Sequence, residues 1–164
     1  MGKSNGRYEC FFGEFAGFRY TAMMIQLPTR ITVVRRLTII WAVYALVWMG
    51  WEGNLHRVVW MGAGTALLLA VKGLQWVGRK RPYPSHHLLA ITTALGLLAG
   101  LGAIPLTLLF MVVKTGLHAH GPEFTLIEIN WVIQQTFLWG LVGALLGLGM
   151  GLLLVARFLS TSHQ

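Results

Sequence analysis

The chain has 164 residues, 55% of them hydrophobic and only 11% charged, whereas an ordinary soluble domain carries about 25% charged residues. That composition excludes a fold that covers itself in water, and the formal charge of +8 sits beside apolar runs, which fits membrane orientation and excludes a nucleic-acid platform. Cys10 is the single cysteine, so an intramolecular disulfide and paired-thiol redox chemistry are excluded as well.

Residues 1–30 mix glycine, aromatics and scattered charges without the continuous apolar stretch of a cleaved signal peptide, and they read as a cytoplasmic arm. Met23 or Met24 offers an alternative translation start. Alternatively, Phe11, Phe12, Phe15, Phe18 and Tyr20 form an aromatic anchor at the membrane surface. A four-span membrane domain occupies 31–157, and 158–164 form a short tail.

The first span is expected at about 31–51, with Arg35 and Arg36 in its first turns, where long stems return charge to the head groups. A tight hairpin at 52–57 leads into the second span at about 58–78; Gly50 or Gly53 ends one helix and Asn54 caps the next. Arg79, Lys80 and Arg81 with Pro82 and Pro84 stop that span, and Ser85 is placed to cap the third. The third span covers about 88–113 and contains Pro105, which removes one backbone hydrogen bond and predicts a kink. Beyond Lys114, a loop carries His118, His120 and Glu123. Thr125 and Glu128 then have capping-box spacing, and Phe124 and Ile129 the spacing of a hydrophobic staple. The fourth helix starts near Leu126 and reaches about Arg157, roughly 48 Å at about 1.5 Å per residue. This exceeds the roughly 30 Å of hydrocarbon, which places the span itself at about 131–156.

Arg30, Arg35, Arg36, Arg79, Lys80, Arg81 and Arg157 fall on one side, joined by Lys3, Arg7 and Arg19, while Arg57 and Lys114 fall on the other. The positive-inside rule puts both termini in the cytoplasm. The expected fold is therefore an all-α integral membrane protein: a four-transmembrane-helix bundle, N-in/C-in, made of two antiparallel helical hairpins. Its place is a cell membrane, either a bacterial inner membrane or an equivalent energy-transducing one.

Three groups of residues bear on function. Thr92, Gly96 and Gly100 in the third span, and Gly143, Gly147 and Gly151 in the fourth, recur every four residues and form smooth strips for close helix approach. Depth matches Gly96 with Gly147 and Gly100 with Gly143, within the chain or toward another subunit. Lys72, Gln134 and Gln135 are intramembrane polar residues, read either as an ion path or as a snorkelling lysine and interhelical hydrogen bonds. His56, His118, His120, Glu123 and Glu128 gather at the outer face beside Glu52, a donor set suited to a divalent metal such as zinc or to acid-base work. A structural hydrogen-bond network and plain solvent exposure are the competing readings there. His86 and His87 read as an interfacial polar pair.

No span places histidines at mid-depth for haem ligation or embeds a carboxylate for proton-coupled export. Phosphate-binding glycine loops, nucleophile elbows and HExxH motifs are absent from the sequence. The expected function is therefore that of a non-enzymatic accessory, assembly or scaffold subunit, partnered by lipid and by another membrane protein or further copies of itself. The alternatives are an outer-face metal-dependent or acid-base enzyme on a membrane-dissolved substrate, and an oligomeric channel or carrier.

Overall fold

The computed structural model describes residues 24–25, 31–50, 54–78, 83–117 and 124–161. Residues 1–23, with Cys10 and the aromatic residues of the expected anchor, lie outside the described residues, as do Glu52, His118, His120 and Glu123. In chain order the elements are β1 (Met24–Ile25), α1 (Ile31–Met49), α2 (Leu55–Gly78), β2 (Tyr83–Pro84), α3 (Ser85–Leu117), α4 (Leu126–Gln134) and α5 (Thr136–Thr161). Among the described residues the elements are helical apart from the two short strands, which pair antiparallel, Met24 opposite Pro84 and Ile25 opposite Tyr83. Among the described residues four helices, α1, α2, α3 and α5, are long and apolar enough to cross a membrane.

Local chemistry sets the helix ends. Asn54 accepts the Arg57 amide on its side-chain oxygen at 2.9 Å, capping the start of α2. Helix α3 begins at Ser85 itself, directly after Pro84, and runs through the exposed Pro105 to Leu117, one turn beyond the sequence expectation. Thr125 and Glu128 form a full capping box: the Glu128 carboxylate accepts the Thr125 amide at 2.8 Å, while the Thr125 hydroxyl accepts the Glu128 amide at 3.3 Å. Replacing Thr125 with alanine is expected to cost about 1 kcal/mol. Thermal unfolding together with faster amide exchange over 126–130 would register it.

The expected single fourth helix is broken at Gln135, where ψ falls to −2°. The Gln135 amide turns to the Val132 carbonyl at 3.2 Å, and the Thr136 hydroxyl donates to the Ile133 carbonyl, so one turn tightens and the axis restarts in α5.

The helices pack in the order α1, α2, α3, α5, each antiparallel to the next. Trp41 of α1 lies in a notch over Gly64 of α2 and donates its indole N–H to Thr65 at 3.1 Å. Gly62 of α2 presses on Thr107 and the Ala103 backbone of α3, and Gly73 lies against Leu95 further along. These contacts place the start of α1, the end of α2, the start of α3 and the end of α5 together at one end, which carries Arg35, Arg36 and Arg157 and is termed the basic end. An apolar cluster of Trp48, Val58, Met61, Met111, Phe124 and Val132 fills the opposite end.

Candidate functional site

Three features of this framework combine chemistry with defined geometry. The first is the α3–α5 seam. Thr92, Gly96 and Gly100 lie on α3 directly against Gly143, Gly147 and Gly151 on α5. A Cβ on Gly96 would overlap the Gly143 carbonyl and come within 2.8 Å of the Gly147 Cα; one on Gly143 would reach the Gly100 Cα at 3.0 Å. Thr92 fits this surface because its hydroxyl donates within its own helix, to Leu88 and Leu89 at 3.0 Å. The glycine strips thus face each other inside the chain, and the backbones themselves form the contact.

The second feature is Lys114, which from sequence alone counts among the outer flanking charges. It is fully buried in the last turn of α3. Its Nζ donates to the Trp48 carbonyl at 3.4 Å and sits 4.5 Å from the centroid of the Trp48 ring. Trp48 is itself 2% exposed, its ring edge-on to Phe110, and its indole N–H has no acceptor among the described residues. Lys114 therefore joins the end of α1 to the end of α3 across the mouth of the apolar cluster. The missed signal is periodic: Gly100, Ala103, Thr107, Met111 and Lys114 are all buried and recur at three- and four-residue steps.

The third feature is a cleft of about 700 Å³ at the basic end, between α1 and α2. Arg35 and Thr38 line one wall, Lys72 and Gln75 the other. Lys72 is exposed, and its helix turns it toward this cleft beside α1.

The remaining candidates among the described residues are spread out. His56 is exposed at the start of α2, and the Glu128 carboxylate is engaged in the capping box. Among the described residues no three His, Cys, Asp or Glu side chains gather closely enough to hold a metal ion, while His118, His120 and Glu123 lie outside them. Gln134 is exposed at the end of α4. Gln135, at the helix break, borders a cavity of only about 10 Å³ with Thr107, Trp131 and Trp139, at most the space of one water molecule. His86 and His87 are exposed with their rings 4.3 Å apart. Comparison of the chain with protein-family models, with curated proteins and with solved structures gives no match.

Proposed function

We propose that this protein crosses a cell membrane four times as a bundle of two antiparallel hairpins, with both termini cytoplasmic, and acts as a non-enzymatic accessory, assembly or scaffold subunit of a larger membrane complex. The orientation rests on Arg35, Arg36 and Arg157 at one end and on the basic run 79–81 in the sequence. The observation that carries the subunit reading is the sparse packing of α1. Only 11% of its apolar stretch is buried, against 28% for α3, and Val33, Leu37, Ile40, Val43 and Leu46 stand exposed around it.

In lipid, apolar surface alone gives helices no reason to associate, so docking depends on shape and polar contacts. Within the chain α1 has its tryptophan contacts and little else to hold it. A second protein surface, from another membrane protein or another copy of this chain, supplies the rest in this reading. The α3–α5 pair provides the rigid base on which such an interface is presented.

Native mass measurement after extraction in mild detergent tests this. The expected result is a species heavier than the 18.2 kDa chain by a defined partner or by whole copies. A lone protomer, both in mild detergent and in nanodiscs drawn directly from the source membrane, overturns the reading.

A further inference from the structure

We infer that the cleft between α1 and α2 at the basic end is a binding site for one anionic glycerophospholipid of the cytoplasmic leaflet. Its phosphate would sit between Arg35 and Lys72 and its acyl chains along the two helices. The inference rests on the membrane-spanning part of the proposed function and goes beyond the subunit role.

Register places the two cations together. The Trp41–Thr65 hydrogen bond fixes α1 against α2, and from that point Arg35 lies about 9 Å along one helix and Lys72 about 10 Å along the other, in the same direction, at about 1.5 Å per residue. They line opposite walls of one cleft at one depth. No carboxylate lines it, and among the described residues the sole carboxylate is Glu128, on α4 at the opposite end. Two positive charges held together without a local counter-charge attract an anion.

The chemistry around the cations narrows that anion to a lipid. Basic pockets between membrane helices on the cytoplasmic side suit anionic head groups, and a guanidinium matches phosphate oxygens with two parallel N–H donors. Gln75 adds an amide donor at the same site. The Thr38 hydroxyl donates to the Val34 carbonyl at 2.8 Å, which leaves its oxygen as an acceptor for a head-group hydroxyl. Val34, Ile39 and Trp76 complete the lining with apolar surface, which a free phosphate would not use and an acyl glycerol would. On the side nearer the middle of the helices, Trp41 packs over Gly64 and bonds Thr65, which bounds the cleft there.

Wild-type protein in detergent should retain phosphatidylglycerol at one molecule per chain by native mass spectrometry, in preference to phosphatidylcholine, and glycerol 3-phosphate should not displace it. R35Q and K72Q should each weaken retention about fivefold, from about 1 kcal/mol per basic residue. R36Q removes an exposed charge that does not line the cleft and should leave retention unchanged. A photoactivatable phosphatidylglycerol added to wild type, which requires no folding of a variant, should label 34–39 or 72–76. Equal retention of phosphatidylcholine, an equal loss in R36Q, displacement by glycerol 3-phosphate, or labelling confined to other segments each overturns the site. Resistance of the protein to carbonate extraction from membranes, measured in parallel, separates failure of the site from failure of the membrane reading.

Discussion

Gly100→Ala is expected to destabilise the protein by about 2 to 3 kcal/mol, near the upper end of what overpacking usually costs. The added methyl would meet the Trp139 carbonyl and come within 3.1 Å of the Gly140 Cα, and these are backbone atoms that no rotamer change can move. Relief requires α3 and α5 to separate, which also loosens Gly96 against Gly143 and Gly147 against Thr92. Two neighbours provide internal controls. A methyl on Gly102 in α3 or Gly149 in α5 meets nothing within 4 Å, so alanine there should be neutral or slightly stabilising. Thermal unfolding of the purified variants in one detergent makes the comparison, and equal melting of Gly100→Ala and Gly102→Ala would remove the seam as a stabilising element. Bulkier Gly147→Leu should fail to give a folded protein where Gly149→Leu does not.

The apolar helices are legible in the sequence because length and hydropathy alone decide whether a segment can cross a membrane. Asn54 and the Thr125–Glu128 pair are legible because caps are local, involving residues three apart with matched donors and acceptors. The small-residue recurrence at 92, 96 and 100 and at 143, 147 and 151 is visible too, but sequence spacing does not say which surface each strip meets.

The features hidden from the sequence depend on how helices are set against one another. Lys114 reads as a flanking charge until α3 is extended to Leu117, when it falls on the stripe of Thr107 and Met111. The break at Gln135 falls inside an otherwise unbroken apolar run, where the Thr136 hydroxyl bonds the Ile133 carbonyl, and no change in periodicity marks it. Pairing of Met24–Ile25 with Tyr83–Pro84 joins segments far apart in the chain and leaves no periodic trace over two residues. Arg35 and Lys72 look like separate snorkelling cations; only the Trp41–Thr65 register brings them to one depth.

These placements divide the molecule into a tight pair, α3 with α5, and a first helix attached at two points. Trp41 over Gly64 is one, midway along, and Trp48 with Lys114 is the other, at the end. The cleft lies where neither attachment reaches.

The attachment at the end of α1 should therefore carry a large share of the energy that holds that helix. Lys114→Ala is expected to cost about 3 kcal/mol or more, because it removes a fully buried stem, opens a cavity and takes away the donor to the Trp48 carbonyl. Lys114→Met keeps most of the stem and loses only the head, so it should cost less, about 1 to 2 kcal/mol. A double-mutant cycle with Trp48→Phe isolates the ring contribution, since the phenylalanine retains the backbone carbonyl while weakening the attraction between the ring face and Nζ. A coupling of about 1 kcal/mol is expected, and none would mean that the 4.5 Å approach is packing without electrostatic benefit. The structural consequence is specific to α1: Lys114→Ala should speed proteolysis between α1 and α2 and leave amide exchange across the α3–α5 seam unchanged. If exchange rises equally at Gly96 and Gly143, Lys114 supports the whole fold rather than the docking of one helix.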